Sequence, residues 1–310
     1  RQLLVDVSVL VQTDAKSGIQ RVVRSVLGEM LVSPSVGMRV ESVYADAAGM
    51  YRYARGIASM FLGLSHAAGV DAEIEASPGD VYLGLDLCAH VVPERIAYFH
   101  TLRERGVSIQ FVLYDLLPAK HPEWFPDNLA SYLQRWYRAI AEVSDRVLAI
   151  SKAVADEYST WLDKERLTRT RPLQIGYFHL GADIESSAPS NGIEEATRHA
   201  IDTLAGRPNF LMVGTVEPRK GHAQALDAFE RLWANGSDAV LVIVGKRGWH
   251  VEELADRLTS HPENGRRLYW FEGVSDEALE RIFAHSSLLL AASFGEGFGL
   301  PLIEAARHGL

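Results

Sequence analysis

Two carboxylates, Glu296 and Glu304, flank a glycine-rich turn near the end of the sequence. Glycines alternate with other residues over 295–299, and Pro301 suits the first turn of a helix, where its missing N–H is no loss. The apolar run 288–292 before the turn predicts a buried strand. A strand, a glycine-rich turn and a helix start together predict an anion site, because free backbone N–H groups point outward and the helix dipole favours negative charge.

The two glutamates add a preference for hydroxyl groups to this predicted anion site. A phosphate alone does not require carboxylates beside it, whereas a carboxylate accepts hydrogen bonds from hydroxyls. The motif therefore favours a sugar-bearing phosphate as the ligand. The structural alternative is that the glycines punctuate the chain before a helix and that Glu304 caps that helix.

A basic pair, Arg219 and Lys220, follows the predicted strand 210–213. Gly214 at the end of that strand lets a ligand approach the backbone closely. Arginine binds a diphosphate through two parallel hydrogen bonds and lysine acts as a point charge, so both stabilise a phosphate leaving group as it gains charge. An exposed pair without function is the alternative, but the place at the carboxyl end of a predicted strand favours ligand binding.

The composition argues against several classes of protein. The 310 residues carry a formal net charge of −9, with 47% hydrophobic and 23% charged residues, which is a soluble globular balance and argues against nucleic-acid binding. The single cysteine, Cys88, cannot form an internal disulfide, which fits a reducing cytosol. No apolar run approaches the roughly 20 residues of a membrane-spanning helix, although peripheral membrane contact stays open.

Strand–helix alternation on both sides of the polar stretch 186–192 predicts two helix-covered parallel sheets. We place the domains at 1–185 and 186–310, and we expect the second to be incomplete at its C-terminal end. The predicted strands are 3–11, 40–45, 81–85, 107–114, 146–150, 173–178, 210–213, 239–244, 268–271 and 288–292. The predicted helices are 19–31, 95–105, 125–143, 151–162, 222–233, 251–258, 276–283 and one from Pro301. Because open sheets bind ligands at the carboxyl ends of their strands, the cleft between the domains is the predicted site.

The segment 296–305, EGFGLPLIEA, resembles the hallmark of the retaining glycosyltransferases of the GT-B fold, specifically glycosyltransferase family 4, in which two glutamates are separated by seven residues. Segments 219–221 and 244–246 are similar to the family's phosphate and base loops, and 17–21 is similar to its glycine-containing loop after the first strand. The resemblance implies an α/β fold of two Rossmann-like, doubly wound domains that face each other across a cleft. It implies that the N-terminal domain lies on the acceptor side and that the C-terminal domain binds a nucleotide sugar.

The resemblance also implies roles for individual residues. Glu296 would hold hydroxyls of the donor sugar, and Glu304 would hold those of the ribose. The diphosphate would contact Arg219, Lys220 and the backbone N–H groups of 298–300. The implied catalytic residues are Glu296, Arg219, Lys220 and Asp115, the last on the donor-sugar side. The implied donor-binding residues are Gly18, Gly214, Lys246, Gly297, Phe298, Gly299, Leu300 and Glu304.

One position departs from the family pattern. Many relatives carry a histidine just before an aspartate at the end of a strand of the first domain, and here Tyr114 stands before Asp115. A catalytic histidine is therefore not carried over. His100, His121 and His179 lie near this region or at the end of the first half, and each has a structural alternative.

The implied reaction asks mainly for electrostatic stabilisation. Family members retain the configuration of the sugar, with attack from the face that the nucleoside diphosphate leaves, and the departing phosphate takes the acceptor's proton. The sequence contains no Asp-x-Asp triplet, and Arg219 with Lys220 can take the place of a metal. We expect no metal and no cofactor, with a GDP- or UDP-linked sugar as the donor substrate.

The sequence predicts a cytoplasmic hexosyltransferase, with the inner face of the membrane as one location, that moves a sugar from a nucleotide sugar to a glycan or lipid-linked acceptor in surface-polysaccharide synthesis. The resemblance at 115–118 and 121–124 indicates mannose from GDP-mannose. The alternatives are a UDP-sugar-dependent transferase, a sugar-nucleotide epimerase of the same fold and a non-catalytic nucleotide-sugar-binding fragment. A nicotinamide dehydrogenase is disfavoured, because the glycines 295, 297 and 299 have the wrong spacing and stand far from the first strand.

Overall fold

The computed structural model describes residues 1–13, 17–65, 70–167, 169, 171–181, 190–204 and 206–310. The chain divides into two compact units. The first unit consists of Arg1–Lys120 and Asn128–Ser187, and the second of His121–Asp127 and Ala188–Leu310. A short segment from the first half of the sequence thus belongs to the second unit. The predicted domain boundary between residues 185 and 186 lies outside the described residues.

A seven-stranded sheet forms the centre of the first unit. Its strands are β1 (Gln2–Asp6), β2 (Arg39–Ala45), β3 (Tyr51–Tyr53), β4 (Val81–Gly84), β5 (Ser108–Leu113), β6 (Arg146–Ala149) and β7 (Gln174–Tyr177). The order across the sheet is β3-β2-β1-β4-β5-β6-β7, and every neighbouring pair is parallel except β2 with β3. The helices are α1 (Ser8–Gln12), α2 (Gly18–Val32), α3 (Arg55–Phe61), α4 (Ile96–Glu104), α5 (Leu117–Lys120), α6 (Asp127–Val143) and α7 (Lys152–Glu165).

The second unit is built on a smaller parallel sheet. Its strands are β8 (Asn209–Val213), β9 (Val240–Val244), β10 (Leu268–Phe271) and β11 (Leu288–Leu289), in the order β10-β9-β8-β11. Its helices are α8 (Glu195–Leu204), α9 (His222–Ala234), α10 (Glu252–Ser260), α11 (Asp276–His285) and α12 (Leu300–Arg307). The prediction of strands alternating with covering helices is confirmed in this half of the chain.

Side chains that alternate along β9 explain why this sheet is covered on both faces. Leu241 and Ile243 pack into one core cluster with Phe229 of α9, whereas Val242 pairs on the other face with Ile282 of α11. A strand that is buried on both sides must be apolar throughout, and all five residues of β9 are buried. The doubly wound α/β architecture predicted from the apolar runs is therefore confirmed.

The predicted strand 3–11 is wrong over its second half. β1 ends at Asp6, and α1 begins at Ser8. The backbone N–H of Ser8 donates to Asp6 Oδ1 at 2.9 Å, and that of Leu10 donates to Asp86 Oδ2 at 2.8 Å. Two buried carboxylates thus satisfy the first N–H groups of the helical turn, which overrides the β preference of its valines and leucine.

Two further predictions are corrected in the second half. The sequence predicts no helix between the polar stretch 186–192 and the strand at 210, but the structure forms α8 there, with Ile201 and Leu204 buried against the sheet. The predicted strand 288–292 is reduced to β11, although the N–H of Leu290 still donates to Leu211 O at 2.7 Å. β11 lies at the edge of the sheet beside β8, so its ladder is short before the chain turns into the glycine-rich segment.

The strand order reverses at one place in each sheet. In the first sheet the reversal lies between β1 and β4, and in the second it lies between β8 and β11. The connections on the two sides of such a point leave in opposite directions, which opens a crevice outside the carboxyl ends of the strands. Each unit therefore has one preferred location for a ligand.

In the first unit this location is filled by the chain's own carboxylates. Asp6 is fully buried and accepts hydrogen bonds from Ser8 N and from the Tyr82 hydroxyl, at 2.6 Å for the latter. Asp86 is 2% exposed and accepts from the backbone N–H groups of Leu10 and Leu87. The start of α1 is thus already occupied by negative charge from its own unit.

The stability of the chain should depend on the protonation of Asp86. Burial, with a contribution from the Asp6 carboxylate, raises the pKa of Asp86 from 3.8 to about 6. Between these values the folded state binds more protons than the unfolded state, so this group's contribution to stability is present at pH 4 and is lost as the pH rises to 7. The loss is on the order of 3 kcal/mol, at about 1.4 kcal/mol for each pKa unit.

Urea titrations of the wild type and of Asp86→Asn at pH 4, 5, 6 and 7 measure this effect. We expect the free energy of unfolding of the variant to improve relative to the wild type by up to about 3 kcal/mol as the pH rises. His222 has a lowered pKa, so its contribution to stability rises with pH. Because both proteins contain His222, this contribution cancels when their free energies of unfolding are compared. If the difference in free energy of unfolding between the two proteins stays constant over this pH range, the raised pKa of Asp86 is contradicted.

Candidate functional site

The candidate site lies at the carboxyl ends of β8 and β11, the point where the strand order of the second unit reverses. The loop after β8 carries the basic pair, and the loop after β11 carries the glycine-rich turn. Since the two strands are adjacent and parallel, the two loops leave the same edge of the sheet. Residues that are about 76 positions apart in sequence are thereby brought into contact.

Backbone contacts hold the two loops together. The N–H of Phe294 donates to the carbonyl of Arg219 at 2.8 Å, and the side-chain amide of Gln224 donates to the carbonyl of Ala292 at 2.9 Å. Gly221 has a φ of 71°, and a Cβ atom there would lie 2.2 Å from the Ala292 carbonyl oxygen. Glycine is therefore required at this position both by the backbone conformation and by the close approach of the second loop.

An ion cluster of Arg219, Lys220 and Glu296 forms where the loops meet. Arg219 Nη1 lies 3.0 Å from Glu296 Oε2, and Lys220 Nζ lies 2.6 Å from Glu296 Oε1. The side chains of Arg219 and Lys220 are 17% and 12% exposed, and that of Glu296 is 30% exposed. The structure thus brings together three of the four predicted catalytic residues in a partly buried setting.

A second carboxylate, that of Glu217, also contacts Arg219. Glu217 Oε1 lies 2.7 Å from Arg219 Nη2, and its side chain is 3% exposed. Arg219 Nη1 also donates to the carbonyl of Gly295 at 2.9 Å. Glu217 was not predicted as a site residue, although its place two residues before the arginine offered a signal.

The charges in this cluster reinforce one another. Burial by itself raises the pKa of the Glu296 carboxyl, but the charge and hydrogen bond of Lys220 and the charge of Arg219 outweigh it and lower the pKa. Glu296 therefore stays ionised at neutral pH, and two cations face one partly exposed carboxylate. Such an arrangement can accept hydrogen bonds from hydroxyls at the glutamate and can stabilise negative charge at the cations.

His222, which the sequence analysis did not assign, lies beside this cluster. It is the first residue of α9 and is 2% exposed. Burial and the charge of Lys220 lower its pKa to about 4, so the ring is neutral at physiological pH. Among the described residues, neither His222 Nδ1 nor Arg219 Nε has a hydrogen-bond partner. Both atoms lie in the segment that begins α9, where a helix N-terminus favours anions.

The glycine-rich turn leads into a second helix start. Gly299 has a φ of 86° and precedes α12, which begins at Leu300 with Pro301 in its first turn, as predicted. Glu304 lies within α12 and is 2% exposed, and Gly297 and Phe298 are partly buried. The backbone of this turn and the beginning of α9 therefore belong to one edge of the sheet.

The loops that follow β8 and β9 are also joined to each other. The N–H of Val216 donates to the carbonyl of Lys246 at 2.9 Å, and the N–H of Gly245 donates to that of Phe271 at 2.9 Å. A Cβ atom at Gly245 would lie 1.9 Å from the Gly214 carbonyl oxygen. The predicted donor-binding residues Gly214 and Lys246 are thus held close together by the backbone.

Two predicted site residues lie in the first unit. Gly18 is the first residue of α2, where the Ser17 hydroxyl accepts from Gln20 N at 3.3 Å. Within 4 Å of a Cβ atom built at Gly18 there is no heavy atom of the described chain, so packing there does not explain the glycine. Asp115 follows β5, and its Oδ1 accepts from the N–H of Leu117 at 3.1 Å.

The tyrosine at the family's histidine position has a structural role. Tyr114 is 5% exposed, and its hydroxyl donates to the carbonyl of Leu85 at 2.7 Å. His100 is half-exposed and lies 3.3 Å from Glu142, both in the first unit. His179 contacts the ring of Tyr177 at a centroid distance of 5.6 Å.

The described residues include no cluster of metal ligands and no helix that could span a membrane. Within that part of the chain no three His, Cys, Asp or Glu side chains come together as a metal site. No described helix has both the length and the apolar character to cross a bilayer.

Comparison with known proteins relates this geometry to a family. Residues 194–310 match the model of the family described as Glycosyl transferases group 1. All of the chain aligns at 44% identity with a serotype-specific mannosyltransferase WbdA of Escherichia coli, of which it spans 37%. The O-antigen chain mannosyltransferase B of Escherichia coli is 26% identical over 67% of this chain and 52% of its own length.

Solved structures support the fold over nearly the full length of the chain. Anabaena Alr3699/HepE in complex with UDP-glucose matches 99% of this chain and 78% of its own, with a TM-score of 0.61 and 14% identity. An E. coli structure described as trehalose-6-phosphate bound with UDP-2-fluoro glucose matches 99% and 82%, with a TM-score of 0.60 and 14% identity. Residues 194–310 are therefore similar to the glycosyl transferases group 1, and the chain has a Rossmann-like α/β fold of the GT-B type.

Proposed function

We propose that this chain is a retaining hexosyltransferase of glycosyltransferase family 4 that moves mannose from GDP-mannose to a glycan acceptor in surface-polysaccharide synthesis. The ion cluster of Arg219, Lys220 and Glu296 at the strand-order reversal of the second unit carries the proposal. The proposal is also supported by a relative named as a mannosyltransferase, to which the whole of this chain is 44% identical. This chain spans 37% of the length of that relative.

The donor diphosphate binds between the cations and the helix starts in this proposal. Arg219 and Lys220 contact its oxygens, and the backbone N–H groups of 297–300 add further donors. The buried Arg219 Nε and His222 Nδ1 offer two more polar atoms beside the same segment. Because a diphosphate carries more charge than one carboxylate, it takes over part of the contacts that Glu296 makes with both cations.

Glu296 then accepts hydrogen bonds from the donor sugar. Its two oxygens are already directed to the loop that holds the cations, and its lowered pKa keeps it an acceptor at neutral pH. Glu304 is proposed to hold the ribose hydroxyls, with Gly214 and Lys246 next to the nucleoside. Gly18 and Asp115 are proposed as the contribution of the N-terminal domain, residues 1–185, which we assign to the acceptor side.

Electrostatic stabilisation of the departing diphosphate supplies the main catalytic effect. Charge develops on the leaving phosphate as the sugar bond breaks, and Arg219 and Lys220 are held by Glu217 and Glu296 in a fixed geometry before reaction. The acceptor hydroxyl attacks from the face that the phosphate leaves, and the phosphate oxygen takes its proton. The proposal needs no protein base, no metal and no cofactor.

The acceptor is proposed to be a glycan or a lipid-linked sugar. The relatives named serotype-specific mannosyltransferase and O-antigen chain mannosyltransferase support this class of acceptor. Such chemistry takes place in the cytoplasm, at the inner face of the membrane when the acceptor is lipid-linked.

A second candidate is a transferase that uses a UDP-sugar. Its support is that structures with this fold are described in complex with UDP-glucose and with UDP-2-fluoro glucose. The two candidates share the diphosphate site and differ in the base and the sugar.

Thermal unfolding with added ligands separates the two candidates. A ligand that binds only the native state stabilises it, by about 2.7 kcal/mol when its concentration is 100 times the dissociation constant. This stabilisation raises the melting temperature. We expect a clear rise with GDP-mannose and with GDP, and a smaller one with UDP-glucose. A rise with UDP-glucose alone would favour the second candidate, and no rise with any nucleotide would contradict both.

The variants Glu296→Gln and Arg219→Ala test the ion cluster directly. Each should lower mannose transfer from GDP-mannose roughly 100- to 1,000-fold, because it removes a charged contact on the donor. Arg257 and Glu230, an ion pair between α10 and α9, provide matched controls as Arg257→Ala and Glu230→Gln. Transfer measured by mass spectrometry of the acceptor should change less than about twofold in the controls. Unaltered rates in both site variants would remove the basis of the proposal.

Metal removal provides an independent test. Transfer should continue at an unchanged rate after treatment with EDTA, because the basic pair supplies the positive charge at the leaving group. The measurement is the initial rate before and after chelation, and again after Mg²⁺ or Mn²⁺ is added back. A rate lost on chelation and restored by the metal would contradict a metal-free mechanism.

A further inference from the structure

The segment His121–Asp127 joins the second unit, although the residues on both sides of it belong to the first. It contains a 3-10 turn, Pro122–Trp124, in which Trp124 N donates to His121 O at 3.1 Å. Residues 121–124 are part of the family resemblance, but they have no place in the proposed donor site. Its contacts within the second unit indicate a role there.

The loop after β9 anchors this segment. The indole N–H of Trp249 donates to the carbonyl of Trp124 at 2.7 Å. The ring of Phe125 lies 5.9 Å from that of Trp249, and Phe125 is 8% exposed. The next residue, His250, has a left-handed φ of 55°, which turns the loop immediately after its anchoring tryptophan. The segment is therefore fixed both by a hydrogen bond and by buried aromatic packing.

Three partly exposed aromatic rings are in contact in a row, and we call them the aromatic platform: His121, Trp124 and Phe294. The His121 ring is stacked on that of Trp124, with centroids 4.0 Å apart and an angle of 11° between planes. The Trp124 and Phe294 rings are 6.2 Å apart and tilted by 36°. Phe294 is 61% exposed, and His121 and Trp124 are partly exposed.

The platform is continuous with the ion cluster. The backbone N–H of Phe294 donates to the carbonyl of Arg219, whose guanidinium contacts Glu296, two residues beyond Phe294. Exposed aromatic rings beside a polar site are typical of ligand binding. The ligand that lies next to the proposed donor sugar in the reaction is the acceptor.

The shape and the polar groups of the platform favour a pyranose ring. The C–H face of a sugar packs on aromatic rings, and its hydroxyls at the rim bind carboxylates. Glu123, which is 62% exposed, lies 3.1 Å from His121 Nδ1 and provides such a carboxylate.

We propose that the aromatic platform is an acceptor subsite that binds the terminal pyranose of the glycan to be extended. That the bound sugar is the acceptor of the transfer rests on the proposed transferase function. It makes His121, Trp124 and Phe294 acceptor-binding residues, and it gives His121 a role as part of a stacking surface.

The kinetic test uses Phe294→Ala, with Phe294→Tyr as the conservative variant. We expect the KM for a mannose-terminated oligosaccharide to rise about tenfold or more in Phe294→Ala, with kcat and the dissociation constant of GDP-mannose changed less than twofold. Phe294→Tyr should keep the KM near that of the wild type. Leu232→Ala, at a 43% exposed apolar position on α9, is the control for loss of exposed apolar surface.

A binding measurement that needs no transfer separates this inference from the proposed function. Saturation-transfer NMR with mannotriose should show contacts to the wild type that are lost in Phe294→Ala and in Trp124→Ala. If mannotriose binds but no sugar is transferred from any nucleotide sugar, the proposed function is contradicted and the sugar-binding subsite is still supported. Weaker GDP-mannose binding in Phe294→Ala with unchanged mannotriose binding would assign the rings to the nucleotide and overturn the subsite. Unchanged binding of both ligands would overturn it as well.

Discussion

The ion cluster of Arg219, Lys220 and Glu296 is the interaction on which the candidate site depends. Two cations with less than a fifth of their side chains exposed must be compensated, and Glu217 and Glu296 supply that charge from two sides. Since Glu296 comes from a different loop, its contacts also fix the glycine-rich turn against the loop after β8. The same carboxylate thus joins the two loops and, in the proposed function, accepts hydrogen bonds from hydroxyls.

The two units use the same architecture in different ways. At the strand-order reversal of the first unit, Asp6 and Asp86 point at the start of α1 and fill the crevice with negative charge. At the corresponding point of the second unit, Arg219 and Lys220 lie between the starts of α9 and α12. Positive charge and helix starts of the second kind favour a phosphate ligand, whereas the carboxyl groups of the first do not. This difference in charge supports the assignment of the donor to the second unit.

Close approaches of the backbone make the loop geometry possible. Gly221 and Gly245 stand where another carbonyl oxygen is too near for any side chain, and Gly299 adopts a left-handed conformation before α12. These positions draw the loops after β8, β9 and β11 into one surface. The segment His121–Asp127 adds an aromatic surface to it through Trp249 and Phe294.

The amino-acid sequence by itself determined the alternation of strands and helices, because apolar periodicity is a local property. It also identified Arg219, Lys220 and Glu296 as candidates, through their residue types and their places after strands. The sequence could not place α1, whose N–H groups are satisfied by Asp86, 76 positions from Leu10. Only the tertiary structure decided that Glu296 pairs with both cations and that the 121–127 segment joins the second unit. Each of these depends on contacts between distant parts of the chain, which no local pattern encodes.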